Sequence, residues 1–256
     1  MVIVMNHLVI MAGGVGSRFW PMSTPEKPKQ FIDVLGIGRT LLQLTADRFA
    51  GICPIENVWV VTSVKYKEIV RQQLPEIPDT NILLEPCMRN TAPCIAYVTW
   101  KIKQRDADAN LVVSPSDHIV MDVPEFRRVM CRGLDFVAGN DRILTVGIRP
   151  VRPETGYGYI KVRNAGEEEI QQVDSFKEKP DLQTAKQYLA AGGYYWNAGI
   201  FLWNVRTIEK AFRENQPDIA AIFDSLEKVY YTAGEQQAID RKFPECPAIS
   251  MSLIHI

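Results

Sequence analysis

Cysteine and histidine are scarce in this chain, and neither is spaced to hold a metal. The five cysteines (Cys53, Cys87, Cys94, Cys131 and Cys246) are odd in number and form no C-x-x-C. That excludes a disulfide framework and reads as reduced thiols of a cytoplasmic protein, mostly core filler. The three histidines, His7, His118 and His255, lack zinc-like spacing and read as satisfied or solvated side chains. No charge of one sign dominates: 29 basic residues face 30 acidic ones, for a net charge of −1. Nucleic acid and anionic membranes are therefore not expected partners, and basic groups must act locally. No apolar run reaches membrane-spanning length. The apolar N-terminus has neither the basic n-region nor the small-residue cleavage site of a signal peptide. Low-complexity linkers, internal repeats and a convincing Ser-His-Asp or Cys-His set are missing as well.

What is present is a regular alternation. With 256 residues and 46% hydrophobic content, the chain can bury the core of one large domain or two small ones. Strand-like runs at 7–11, 58–62, 82–84, 111–113 and 143–147 alternate with helical stretches at 40–49, 65–74, 91–104 and 124–137. Thr91 is placed to cap the third of these helices. The β-branched, doubly apolar strands predict an α/β fold with a mostly parallel sheet covered on both faces. From Glu154 the pattern changes. A hairpin at 159–162 and 170–176, turning at Asn164-Ala165-Gly166, precedes helices at 182–189, 205–213 and 219–229, with a strand or loop-strand at 196–203.

Leu8 to Met11 runs straight into Ala12-Gly13-Gly14-Val15-Gly16-Ser17-Arg18, and Lys27-Pro28-Lys29-Gln30 follows about ten residues later. Glycines at 13, 14 and 16 allow a tight turn and bring N–H groups against a ligand without Cβ interference. Arg18 and Lys29 add fixed positive charge, a combination suited to a polyphosphate. The turn is neither a Walker A loop, which needs Gly-Lys-Ser/Thr, nor a Rossmann fingerprint, which needs a third glycine. Two further segments follow strand ends. Glu85-Pro86-Cys87-Met88-Arg89-Asn90-Thr91-Ala92-Pro93 offers a carboxylate, a guanidinium and an amide, able to read a base or ribose or merely to cap a helix. Ser114-Pro115-Ser116-Asp117-His118 offers a carboxylate that either caps a turn or holds Mg2+ against phosphates.

The strings A-G-G-x-G-S-R-x-W-P and P-K-Q-F resemble the sugar-phosphate nucleotidyltransferases, and within them the mannose-1-phosphate guanylyltransferases. E-P-x-x-R-N-T-A-P, P-S-D-H, T-G-Y-G-Y-I, F-x-E-K-P and W-N-x-G carry the resemblance through residue 250 or so. It implies a Rossmann-like three-layer sandwich with a mostly parallel central sheet, of nucleotide-diphospho-sugar transferase type. It also implies transfer from GTP to mannose 1-phosphate, giving GDP-mannose and pyrophosphate, with Mg2+ as cofactor. Arg18, Lys29 and Asp117 are then catalytic, Asp117 also holding the metal. Ala12, Gly13, Gly14, Gly16, Ser17, Arg18, Lys29, Glu85, Asn90 and Thr91 bind the nucleotide, and Gly156, Tyr157, Glu178, Lys179 and Asn197 the sugar phosphate. Residues 1–246 form the nucleotidyltransferase domain, with a nucleotide half to about 150 and a sugar-phosphate half from about 151. Residues 247–256 depart from the family, with Ser252 where a second metal-binding aspartate is expected. The relatives' C-terminal β-helix domain is missing, and the tail reads as a truncation or altered frame. The resemblance leaves three things open: another sugar 1-phosphate or nucleotide, a non-catalytic nucleotide-sugar binding protein, and the oligomeric state, for which a homodimer is the candidate.

Overall fold

The computed structural model describes residues 5–14, 21–166 and 168–251. Its first elements are β1 (Asn6–Met11), α1 (Leu41–Arg48), β2 (Val58–Ser63), α2 (Lys67–Gln73), β3 (Ile82–Glu85), α3 (Thr91–Lys103), β4 (Asn110–Pro115) and α4 (Val123–Ala138). There follow β5 (Leu144–Ile148), β6 (Tyr159–Val162), β7 (Val173–Lys177), α5 (Leu182–Ala191), β8 (Tyr194–Asn204), α6 (Val205–Asn215), α7 (Pro217–Asp224) and α8 (Glu235–Lys242). The chain divides into two compact units, residues 1–144 with 202–256, and residues 145–201.

In the first unit β1 to β4 pair in parallel in the order β3-β2-β1-β4. Leu8, Val9, Ile10, Val60, Val61, Val112 and Val113 are completely buried, as helices on both faces of a parallel sheet require. Each such side chain contributes about 1.5–3 kcal/mol on leaving water. α1 starts at a capping box in which Thr40 Oγ1 accepts from Gln43 N–H and Gln43 Oε1 from Thr40 N–H. α4 is capped by Asp122, with a proline in its first turn. The α/β fold with a sheet parallel at its core agrees with the alternation in the sequence.

Three local expectations change. Asn90, not Thr91, caps α3: its φ of 66° turns its side chain so that Oδ1 accepts from Thr91 N–H at 3.1 Å. α7 ends at Asp224, short of the helix expected to 229. α8 was not expected, because its strongly polar stretch buries only Glu235, Ala238 and Ile239.

The later helices belong with the first unit. Trp100 of α3 packs against Phe212 of α6 and Phe223 of α7, at ring distances of 5.9 and 6.2 Å, and Tyr97 against Phe243 at 6.3 Å. The compact units divide at 144 and 201. In the second unit β6 pairs antiparallel with β7 and with the 194–196 part of β8. Tyr159 and Tyr188 pack edge to face at 5.3 Å, and Tyr188 stacks on Tyr194 at 4.1 Å.

Candidate active site

Strand register gathers the first unit's loops. Met11 lies between Val61 of β2 and Pro115 of β4, and Ser63 lies beside Glu85 of β3. The segments after all four strands thus leave at one edge of the sheet, where ligands of open parallel sheets bind. Ala12 opens the glycine turn with its N–H on Val61 O at 2.8 Å. Its carbonyl accepts from Thr62 Oγ1 at 3.0 Å and from Gln30 Nε2 at 3.1 Å. The same Gln30 amide donates to Gly14 O at 2.8 Å, and the residue is 2% exposed. Gln30 therefore fastens the beginning of the turn to the segment that carries Lys29. A Cβ on Gly13 would stand 3.1 Å from Glu85 Oε2, so glycine is what lets that carboxyl approach the backbone. Gly16, Ser17 and Arg18 lie outside the described residues.

Lys29 begins a 3₁₀ turn whose other residues, Gln30 and Phe31, are buried. Its Nζ stands 2.5 Å from Asp117 Oδ2, with the two side chains 20% and 28% exposed. The other Asp117 oxygen is 3.9 Å from His118 Nε2. Burial pushes the His118 pKa down, Asp117 opposes that, and Arg48 and Lys29 add to it. The sequence left Asp117 between a turn cap and an anion partner for cations. Here it faces a cation.

In the Glu85 segment, burial pushes the Glu85 carboxyl up to about 7, against a hydrogen bond with Cys94 that favours ionisation. Of the three residues expected at the nucleoside, Glu85 reaches the glycine turn. Asn90 is engaged as a cap, and Thr91 Oγ1 accepts from Met251 N–H at 2.7 Å. Ala92 N–H donates to Ile249 O at 3.0 Å, and Arg89 Nη2 to Pro244 O at 2.5 Å. Residues 244–251 thus brace the start of α3.

The second unit gathers the residues expected at the sugar phosphate. Tyr159 pairs with both Lys177 and Trp196, so the residues before 159, after 177 and after 196 emerge at one end of three strands. A Cβ on Gly158 would stand 3.5 Å from Glu178 Oε2 and 3.8 Å from Asn197 Cβ. Asn197 N–H donates to Gly158 O at 2.8 Å, and its Oδ1 accepts from Gly199 N–H at 2.8 Å. Tyr157 meets Trp196 edge to face at 5.5 Å, and Gly156 N–H is held by Glu154 Oε1 at 3.0 Å. Lys179 Nζ lies 3.6 Å from Glu178 Oε1, an exposed pair of small energetic weight. A carboxylate, an ammonium, an amide and an aromatic edge around small residues suit a polyhydroxylated, phosphorylated ligand.

The model of the family described as "Nucleotidyl transferase" matches residues 7–240. The chain belongs to the nucleotidyl transferase family. Among curated relatives, a mannose-1-phosphate guanylyltransferase of Escherichia coli (strain K12) is 38% identical over 228 residues, 86% of this chain and 46% of that protein. Mannose-1-phosphate guanylyltransferase RfbM of Salmonella typhimurium is 40% identical over 82% of this chain and 44% of that protein. The chain spans about half the length of the curated relatives it matches. A crystal structure described as mannose-1-phosphate geranyltransferase from Thermus thermophilus superposes with a TM-score of 0.85 at 29% identity, covering 96% of this chain and 69% of that one.

Two features of this nucleotidyl transferase bear on a metal and on a membrane. Among the described residues no group of three or more His, Cys, Asp or Glu side chains could hold an ion. Mg2+ bound with phosphates needs only one or two carboxylates. Asp117 fits that need, since its carboxylate already takes an ammonium at 2.5 Å. No helix among the described residues is long and apolar enough to cross a membrane. Sequence reading did not assign Gln30, Gly158 or Arg48. The first two lie inside the quoted P-K-Q-F and T-G-Y-G-Y-I strings. Arg48 left no signal, because the carbonyl it holds, His118 O, is 70 residues away in sequence.

Proposed function

We propose that this chain transfers a guanylyl group from GTP to mannose 1-phosphate in the cytoplasm, forming GDP-mannose and releasing pyrophosphate. The observation that carries the reading is the glycine turn, Lys29 and Asp117 at one edge of a parallel sheet in a member of this family. The likeness to mannose-1-phosphate guanylyltransferases supports the choice of substrates. We assign the nucleotide to the half up to about residue 150, and the sugar phosphate to Gly156, Tyr157, Glu178, Lys179 and Asn197. In the nucleotide half, Ala12, Gly13, Gly14, Gly16 and Ser17 wrap the triphosphate, while Glu85, Asn90 and Thr91 line the nucleoside end.

An oxygen of the sugar phosphate attacks the α-phosphorus in line as pyrophosphate leaves opposite. That oxygen is already ionised, so neither a general base nor a covalent nucleophile is required of the chain. The barrier is largely repulsion, since unit charges 4 Å apart repel by about 4 kcal/mol at an effective dielectric near 20. Arg18 and Lys29 offset it at the phosphates, through positioning and fixed charge. Asp117 would hold Mg2+, which when bound would supply Lewis-acid neutralisation of the phosphate charge. The test is pyrophosphate release with mannose 1-phosphate and, in turn, GTP, UTP, ATP and dTTP. GTP is expected to give the highest initial rate. Release with none of the four, beside calorimetric binding of GDP-mannose, would make this a binding protein and refute the proposal.

A further inference from the structure

Arg48, the last residue of α1, is an arginine that stability alone does not ask for. It is 4% exposed, and among the described residues no carboxylate forms an ion pair with it and its buried Nε has no hydrogen-bond partner. A guanidinium buried without a carboxylate is costly, and a methionine or leucine would fill the same space without that cost. Burial lowers its pKa to about 10, against the opposing charge of Asp47, which forms no ion pair with it, and this leaves it charged at neutral pH.

What the guanidinium holds is the backbone next to Asp117. Nη1 donates to His118 O at 2.9 Å, and Nη2 to Thr45 Oγ1 at 3.0 Å. The group lies 5.4 Å from the Phe126 ring centre, and Arg127 Nη1 donates to Arg48 O at 3.1 Å. α1, α4 and the segment after β4 thus meet on one planar fork. His118 directly follows the aspartate that takes Lys29. We propose that Arg48 is a positioning residue, whose clamp on the His118 carbonyl fixes the direction in which Asp117 presents its carboxylate to a divalent cation. The inference rests on the assignment of Asp117 above. An ammonium cannot reproduce the two-pronged grip.

The variants are Arg48→Met and Arg48→Lys. Four quantities are read: melting temperature, GTP affinity in EDTA, Mn2+ affinity in the presence of GTP by electron paramagnetic resonance, and the Mg2+ concentration for half-maximal pyrophosphate release. In Arg48→Met both metal constants should weaken about ten- to hundred-fold, the usual cost of losing an outer partner of a metal ligand, while GTP affinity in EDTA stays within about two-fold. Excess Mg2+ should restore kcat, and Arg48→Lys should fall between. A folded variant with wild-type metal dependence would overturn the inference. So would a loss of metal-free GTP affinity by the same factor, which marks general structural damage. If Arg48→Met does not fold, Arg48→Lys decides by the same two criteria. A wild-type protein that binds no GTP with metal would sink the functional reading and this inference together. A wild-type protein that turns over beside a variant with unchanged metal dependence would sink the inference alone.

Discussion

Removing the Lys29 ammonium perturbs the centre of the account. In Lys29→Ala, Asp117 loses the cation 2.5 Å from its Oδ2, and the triphosphate loses a fixed positive charge. At contact with a phosphate oxygen such a charge is worth about 4 kcal/mol at an effective dielectric near 20. Part of that attraction already acts in the bound substrate and does not change the chemical step. The loss should therefore resemble removal of one preorganised donor, about 10²–10³-fold in kcat/KM, or roughly 2.7–4 kcal/mol. The fold should survive, because the side chains are 20% and 28% exposed and a partly exposed pair contributes at most about 1 kcal/mol. The assay is pyrophosphate release at saturating Mg2+, with the melting curve recorded beside it. A folded Lys29→Ala protein that turns over at the wild-type rate would show that Lys29 has the wrong role.

Gln30→Met removes both donations to the glycine turn, so Ala12 and Gly14 carbonyls lose a partner. Stability should fall by about 1–3 kcal/mol, and GTP affinity with it; an unchanged calorimetric Kd would show that the turn does not depend on this amide. In the second unit, Gly147→Ala would place its Cβ 2.8 Å from Tyr195 Cβ, near the backbone, where no flexible end can yield. A loss of about 1–3 kcal/mol in denaturant titration is expected, and equal midpoints would refute the crowding. His7 accepts from Trp59 Nε1–H at 3.0 Å through Nδ1 and faces Asp106 through Nε2 at 3.2 Å, and burial lowers its pKa against the Asp106 contribution. The unfolded chain then takes this proton near 6.5 and the folded chain only at lower pH, so His7 costs stability as pH falls below about 6.5. Glu85, pushed up to about 7, acts in the opposite sense as pH rises from its ordinary range toward 7. The comparison is therefore between wild type and His7→Gln. Going from pH 7.5 to 5.5, the melting temperature of the variant should lie progressively higher relative to wild type, and parallel pH profiles would exclude a contribution from His7.

Local periodicity made most of the architecture legible. Strand runs such as Val58 to Thr62 are apolar on both faces, which only a covered parallel sheet explains. The end of α7 and the whole of α8 were less legible, since contacts with α3, Trp100 with Phe223 of α7 and Lys101 with Glu235 of α8, hold them more than their own patterns do. For the same reason the boundary between units was hidden: residues 202–251 return to a core begun two hundred residues earlier. At the site, the glycine turn, Lys29 and Asp117 could be named because each sits just after a strand or inside a short string. Asn90 displaced Thr91 as the cap because a positive φ is invisible in composition. Gln30 and Arg48 act on backbone carbonyls 16 and 70 residues away, and a carbonyl leaves no mark in a sequence.

The most direct test of the central claim is a crystal structure of the protein with GTP and Mg2+. The account predicts the triphosphate against Ala12 to Gly14, Lys29 moved from Asp117 onto a phosphate oxygen, and the metal on the Asp117 carboxylate. A triphosphate bound elsewhere, with Lys29 still seated on Asp117, would contradict it.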